Sequence, residues 1–267
     1  MVIRALLSES GLPRLDGEVL LAHVLGIPRE KLLFMYKDPV SPEVETAFGV
    51  LAKKRLLGMP VAYLVGEKEF YSLPFFVTPD VLIPRPDTEL LVQWAIPHAQ
   101  GKRVLDLCCG TGCIGISVAV HSTPKSLTLW DISHPALAVA TKNAVRHSIT
   151  ANFIEGDILQ APIDGTYDLI LSNPPYIETG VVPTLEKDVE AFEPHLALDG
   201  GGDGLRFYPV IIEKAFSALS GGGWLGLEIG YTQGEAVSKM MAARFSRVEV
   251  LSDLAGNPRV VVGQKHI

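Results

Sequence analysis

The sequence predicts an α/β fold: a mostly parallel sheet that ends in an antiparallel hairpin, entered from a small N-terminal helical bundle. Three observations predict it. From residue 103 onward, short β-prone apolar runs alternate with helix-length segments, the pattern of parallel strands joined by crossover helices. The last two such runs, 247–251 and 259–264, are joined by a short stretch built around Asp253-Leu-Ala-Gly-Asn257. If they pair, they pair antiparallel, because a parallel pair needs a long crossover. Upstream, residues 1 to about 65 carry helical spacing and helix punctuation alone.

Size and composition bound the rest. A chain of 267 residues that is 48% hydrophobic is large enough for one sizeable domain, or one domain plus a small one. Its apolar runs fall short of the ~20 residues a membrane span needs. The opening Met1-Val-Ile-Arg-Ala-Leu-Leu-Ser-Glu lacks the basic region, long apolar run and cleavage site of a signal peptide, so the expected location is the cytoplasm. Three cysteines give no disulfide framework and fit a reducing compartment. A net charge of −7 argues against a broad nucleic-acid surface, which is normally basic.

Taken in order, Leu15, Val19, Ala22 and Leu25 share a helical face, and Gly26 then Pro28 stop that helix. Ser41-Pro42 reads as an N-cap followed by proline in the first turn, with Val44, Ala47, Phe48 and Leu51 lining a core face. The helical domain is expected to span 1–65 and is read as a substrate-docking unit or a plain bundle. Residues 66–82 read as a β-hairpin linker, two apolar runs around a Ser-Leu-Pro turn. The domain that follows, 83–267, opens with Ile83-Pro84-Arg85-Pro86-Asp87-Thr88-Glu89. Asp87 or Thr88 is placed to cap a helix that Pro97 ends or kinks. Arg85, bracketed by prolines, is either a surface residue or part of a rigid loop bordering a site.

Strands are then expected at 103–107, 127–129, 152–154, 167–171, 223–229 and in the terminal hairpin. Helices are expected at 113–120, from Pro135 through Arg146, and at 207–219 and 234–245. The excursion 178–206 is long for a compact domain, and such loops are usually functional or mobile.

The chemistry is expected beyond the carboxyl ends of the strands, where open α/β sheets bind ligands. After the first strand comes Cys108-Cys109-Gly110-Thr111-Gly112, a turn whose glycines let a ligand approach the backbone. Asp106 lies in that strand, Asp131 ends the second, and Asp157 with Ile158 closes the third. Gly110-Thr111-Gly112 alone is weak and lacks the full G-x-G-x-x-G spacing of nicotinamide enzymes. Four successive strands each offering a polar group to one crevice point to an S-adenosylmethionine site. In that reading Asp106 lies near the methionine ammonium, Asp131 on the ribose hydroxyls, and Asp157 and Ile158 around adenine. The cysteines pack the turn rather than bind metal, because no Cys/His partner has suitable spacing.

At the fourth strand stands Asn173-Pro174-Pro175-Tyr176. The prolines fix φ and carry no N–H, so the turn offers carbonyl acceptors without competing donors. Asn173 adds a side-chain carbonyl and Tyr176 a flat aromatic face. This patch suits a planar –NH2 group.

Read together, the motifs resemble those of the HemK/PrmC protein-(glutamine-N5) methyltransferases. They are Leu82-Ile-Pro-Arg-Pro-Asp-Thr-Glu89, Asp106-Leu-Cys-Cys-Gly-Thr-Gly112, Ser172-Asn-Pro-Pro-Tyr176, Phe192-Glu-Pro194, Gly202-Asp-Gly204 and Leu227-Glu-Ile-Gly230, with Leu25-Gly-Ile-Pro-Arg-Glu30 upstream. Asn-Pro-Pro-Tyr by itself is shared with amino-directed DNA and RNA methyltransferases, whereas the Ile-Pro-Arg-Pro segment is far more specific. One departure is Cys108, where many methyltransferases have the first glycine of the loop. The resemblance implies a seven-stranded methyltransferase domain, S-adenosylmethionine converted to S-adenosylhomocysteine, and as substrate the Gly-Gly-Gln glutamine of class 1 peptide chain release factors. It makes Asn173, Pro174, Pro175, Tyr176 and Arg85 candidate substrate contacts, with Asn173, Pro174 and Tyr176 catalytic. The cofactor set is Asp106, Cys108, Cys109, Gly110, Thr111, Gly112, Asp131, Asp157, Ile158 and Asn173. A monomer is expected, with neither stable nucleic acid nor membrane as partner. The alternatives are a DNA or RNA amino-group methyltransferase, a non-catalytic adapter that keeps the fold as scaffold, and a nicotinamide oxidoreductase.

Overall fold

The computed structural model describes residues 1–267, which divide into two compact units. One comprises residues 1–67 with 186–192; the other comprises 68–185 with 193–267.

The first unit is helical: α1 (Ile3–Glu9), α2 (Arg14–Leu25), α3 (Arg29–Leu32), α4 (Pro42–Leu56) and α5 (Val61–Val65). Gly26 ends α2 in the left-handed conformation, and the Gly26 and Ile27 amides close back on the His23 and Ala22 carbonyls. Ser41 Oγ accepts the Val44 amide, and a proline stands in the first turn of α4. The buried face of α2 differs from the expected one. Leu15 is exposed, and Gly17, Glu18, Leu20, Leu21 and Ala22 are buried. The cause is Glu18, which hydropathy assigns to solvent. Tyr36 Oη donates to it at 2.6 Å and Arg14 Nε at 2.7 Å, and Arg29 lies 3.4 Å away, so the carboxylate goes inside with partners. Along α4 the buried pair is Phe48 and Ala52, while Ala47 faces out.

A hairpin follows, β1 (Glu67–Phe70) and β2 (Leu73–Phe76), all of it but Glu67 in the second unit. Its turn is Tyr71-Ser72, not Ser-Leu-Pro. Both residues have positive φ (51° and 59°), the two-residue geometry whose twist matches the strands. Pro74 sits inside β2, where a two-stranded ribbon leaves an edge free of the amide it lacks. Helix α6 (Glu89–Ala99) runs through Pro97 for two more residues. The missing amide falls in the last turn, where it breaks little.

The main sheet holds β3 (Arg103–Leu107), β4 (Ser126–Asp131), β5 (Asn152–Glu155), β6 (Tyr167–Ser172), β7 (Leu219–Glu228), β8 (Ser246–Ser252) and β9 (Pro258–Gln264). Their spatial order is β5-β4-β3-β6-β7-β9-β8. The first five strands are parallel; β9 runs antiparallel between β7 and β8. Helices α7 (Cys113–His121) and α8 (His134–Arg146) pack with α6 around Val104, Leu129, Leu169 and Leu171. Helices α10 (Tyr208–Ala218) and α11 (Gly234–Ala242) cover Leu105, Leu107, Ile170 and Leu227 on the other face. Both faces being covered explains the near-continuous apolar runs of the central strands. The 178–206 stretch is largely ordered structure. It carries a 3-10 turn at Val182–Thr184, helix α9 (Lys187–Phe192), a second 3-10 turn at His195–Ala197 and a bridge from Ile177 to Asp199.

Candidate active site

The strand order reverses at β3, so β3 and β6 flank the crevice at which doubly wound sheets bind ligands. Leu107 pairs with Ser172 at the carboxyl ends, and Ser172 Oγ donates to the Leu107 carbonyl at 2.9 Å. Residues 108–112 and 173–176 therefore leave the sheet side by side. A cavity of about 270 Å³ opens between them. Asp168, at the opposite end of β6, plays no part in it. The Arg103 guanidinium holds its carboxylate well below the usual range, at 2.9 Å from both Nε and Nη2.

The loop after β3 is bonded throughout. The Cys109 amide donates to the Trp130 carbonyl at 3.0 Å, the Gly110 amide to Asp131 Oδ2 at 2.8 Å, and the Gly112 amide to the Cys109 carbonyl at 2.7 Å. Asn143 of α8 donates to the Thr111 carbonyl at 3.0 Å, and Thr111 Oγ1 accepts the Cys113 amide at 3.3 Å. Cys108 has φ +56°, Gly110 +52° and Gly112 +76°. A β-carbon at Gly112 would meet Ile116 at 2.9 Å, whereas one at Gly110 would meet nothing within 4 Å. The departure at Cys108 therefore falls on a left-handed residue, the conformation that favours glycine. Cys108 and Cys109 line the cavity together with Gly110, Thr111 and Cys113. Burial pushes all three thiols up, Cys113 to about 12, so none is a reactive thiolate.

The aspartates divide. Asp131 lines the cavity, with Oδ2 taken by Gly110 and Oδ1 accepting the Ser133 amide at 2.9 Å. Burial raises its pKa. Asp157 lines the cavity beside Ile158, its Oδ1 accepting the Leu159 amide at 2.8 Å. Asp106 does not line it. Its carboxyl is fully buried beneath the loop, with Oδ2 on the Gly115 amide at 2.9 Å and Oδ1 without a partner. Burial pushes it up to about 7.

The turn after β6 divides likewise. Asn173 and Pro175 line the cavity, and Pro174, between them in the chain, is buried. Asn173 Nδ2 points to Thr88 Oγ1 at 3.4 Å, which leaves Oδ1 as the free acceptor. Thr88 occupies the N-cap position of α6, yet its side chain makes no cap bond. Tyr176 does not present its ring to the cavity. The ring packs on the core under α10 and α11, with Oη 3.4 Å from Glu228 Oε1. Glu228 is buried, its Oε2 lacks a partner, and burial pushes it up to about 7. Arg85 lines the cavity wall, but its guanidinium is paired with Glu193.

Sequence reasoning passed over Asn143, Gln233 and Glu228 as site-builders. Lone polar residues inside helices or at strand ends carry no periodic signal. Only the Leu227-Glu-Ile-Gly230 motif marked the neighbourhood of the last two.

The wall chemistry selects the ligand type. Trp130, Ile132, Leu159 and Phe207 give an apolar pocket beside Asp131 and Asp157. Asp80 adds a third carboxylate to the lining. Of the two guanidiniums there, Arg85 is already paired with a carboxylate. This suits a cationic ligand with a planar heterocycle and fits S-adenosylmethionine better than an anionic dinucleotide. No group of three or more His, Cys, Asp or Glu residues stands close enough to hold a metal, and no helix is long and apolar enough to cross a membrane.

Comparison with known proteins agrees. Residues 2–66 match the model of the PrmC N-terminal domain, and residues 86–201 match that of the Methyltransferase small domain. A release factor glutamine methyltransferase from Bordetella pertussis is 43% identical, covering 98% of each chain. One from Geobacter sulfurreducens is 39% identical, over 98% of this chain and 93% of its own. A crystal structure of a methyltransferase from Pyrococcus furiosus superposes with a TM-score of 0.56 at 18% identity, over 80% of this chain and 98% of that one, and shows the fold.

Proposed function

We propose that this chain, which belongs to the release factor glutamine methyltransferase family, transfers a methyl group from S-adenosylmethionine to the side-chain amide nitrogen (N5) of a release-factor glutamine. The acceptor is the glutamine of the Gly-Gly-Gln motif in class 1 factors. The observation that carries the reading is Asn173: with Nδ2 turned to Thr88, its Oδ1 is the acceptor that remains at the cavity, beside two prolines that have carbonyls and no N–H.

An amide nitrogen is a poor nucleophile because its lone pair is delocalised into its carbonyl. Asn173 Oδ1 and the Pro174 carbonyl accept its two hydrogens. That fixes the nitrogen and favours pyramidal geometry, so the lone pair points along the cavity. Bound there, S-adenosylmethionine would supply an electrophilic sulfonium methyl for transfer to that nitrogen, with a neutral thioether as the leaving group. The methylated amide nitrogen is strongly acidic and loses its proton to water, so no strong general base is needed. Rate comes from positioning and from carbonyl dipoles aimed at the developing positive charge. Asp131, the 108–112 loop and the Asp157-Ile158 wall would hold the cofactor. Tyr176, turned inward, fixes the turn rather than packing on the acceptor amide.

In this reading residues 1–65 dock the protein substrate, 66–82 link, and 83–267 catalyse. The enzyme acts as a monomer in the cytoplasm, without stable nucleic acid. The test is methyl transfer from labelled S-adenosylmethionine to a purified release factor and to its Gln→Ala variant at Gly-Gly-Gln. Label on the first and none on the second is expected. Label on neither, with cofactor bound, overturns the acceptor and turns attention to nucleic acid.

A further inference from the structure

The Asn-Pro-Pro-Tyr turn cannot hold itself in place. Its prolines lack amides, and the next backbone anchor along the chain is Ile177, bonded to Leu198 and Gly200. What holds it comes from elsewhere in the fold. Gln233, at the N-terminus of α11, donates through Nε2 to the Tyr176 carbonyl at 3.0 Å and to the Gly204 carbonyl at 3.2 Å. Its Oε1 accepts the Gly230 amide at 2.9 Å and lies 3.2 Å from the Tyr208 hydroxyl. One carboxamide thus uses both donor hydrogens, while the single Tyr208 hydroxyl hydrogen is shared between Oε1 and the Glu228 carbonyl, 3.1 Å away. The other side of Tyr176 is closed by glycines. A β-carbon at Gly200 would stand 2.7 Å from the Tyr176 Cα, and one at Gly204 would strike the same carbonyl that Gln233 holds.

We infer that Gln233 is a positioning residue for methyl transfer. By clamping the Tyr176 carbonyl against Gly204, it sets the direction of the Pro174 carbonyl and of Asn173 Oδ1, the pair that must meet the acceptor nitrogen together. It does not line the cavity. The inference rests on the proposed acceptor chemistry, since only an acceptor held by two oxygens is sensitive to the turn's angle.

The test is Gln233→Glu, which keeps length and shape, keeps an acceptor for Gly230 and Tyr208, and faces two carbonyls with a carboxylate that cannot donate. Crystal structures of the wild type and of this variant give a readout that needs no acceptor. The expected result is a rotated Tyr176 carbonyl with Asn173 Oδ1 withdrawn from the cavity. On the release factor, kcat is expected to fall ~100-fold, as a misplacement of about 1 Å does, while KM and cofactor Kd stay within about threefold. Met241→Ala is the control for a merely structural role. Met241 is buried one helical stretch further along α11, its sulfur over Gly263 of β9, away from the turn. It should lower the melting temperature with kcat retained below that temperature. An unmoved turn, an unchanged kcat, or an equal kcat loss in Met241→Ala would each overturn the inference. A wild type that binds cofactor but leaves the release factor unlabelled defeats the proposed acceptor instead, and the crystal comparison still decides whether Gln233 holds the turn.

Discussion

Arg85, which lines the cavity, and Glu193 are 108 residues apart in sequence and joined by an ion pair. The Glu193 side chain is 1% exposed, and its second oxygen accepts the Ile83 amide at 3.1 Å. Two of the family's short motifs, Ile-Pro-Arg-Pro and Phe-Glu-Pro, are thus the two halves of one tie. Arg85 was expected among the substrate contacts, and the geometry instead spends its charge on a buried carboxylate.

Arg85→Ala should therefore act first on stability. Breaking a buried pair strands the remaining charge at a cost of ~3–5 kcal/mol. Arg85 is 37% exposed and Glu193 keeps the Ile83 amide, so about 2 kcal/mol is the better figure here. For a chain of this size that lowers the melting temperature by roughly 5 °C. Arg85→Ala, Glu193→Gln doubles should recover part of the loss. A melting curve unchanged in the single variant, with KM for the release factor raised tenfold, would instead make Arg85 a substrate contact.

Cys108 occupies a left-handed position with φ +56°. A residue with a β-carbon costs ~1–2 kcal/mol there, and glycine removes that cost at the expense of a floppier unfolded chain. Cys108→Gly should raise the melting temperature slightly, by roughly 0.5 kcal/mol of net stability. Cofactor affinity, measured by calorimetry, should stay within a few-fold, since Gly110 and Asp131 still define the loop. A tenfold loss of affinity would assign the thiol a direct contact.

The central strands were legible because burial on both faces makes them continuous apolar runs, and β6 begins at Tyr167 as expected. The insertion of β9 between β7 and β8 was not, because edge choice is decided by packing that no local pattern records. Asp106 and Asp131 look alike in sequence, each acidic near a strand's end. Alternation separates them: Asp106 shares the face of Val104 and is driven under α7 onto Gly115, while Asp131 is the last residue of its strand. Glu18 and Gln233 escaped for a simpler reason. A polar residue goes inside only when partners distant in sequence satisfy it, and the sequence does not show which partners arrive.

Asn173→Ala removes the one side-chain acceptor that the turn offers the cavity. Turnover on the release factor should fall by at least ~10²–10³, the usual loss for deleting one preorganised electrostatic partner of a transition state. Cofactor affinity should remain within a few-fold, because the loop, Asp131 and the Asp157-Ile158 wall are untouched. Thr88→Val should give a smaller kcat loss by freeing Nδ2 from its 3.4 Å contact and letting the carboxamide turn over. Retained turnover in Asn173→Ala would remove the acceptor chemistry proposed for this turn.

Glu228 makes stability depend on pH, and the direction follows from its burial. Desolvation beneath the turn raises its pKa from 4.5 to about 7, only partly offset by hydrogen bonding from Thr88 and Tyr176. The folded state therefore binds the proton more tightly than the unfolded state. Its contribution is fully present below about pH 4.5, declines as pH rises toward about 7, and is gone above that. The slope for one such group is at most about 1.4 kcal/mol per pH unit. Asp106, raised from 3.8 to about 7 by burial beneath the loop, works in the same direction. Gln at 228 has no proton to lose, so Glu228→Gln should gain on the wild type as pH rises from 5 to 8 and hold a constant difference beyond 8. Denaturant melts of both proteins at pH 5, 6, 7 and 8 measure it. A difference independent of pH across that range would mean that Glu228 titrates as an ordinary surface carboxylate, and that its buried oxygens find partners in solution.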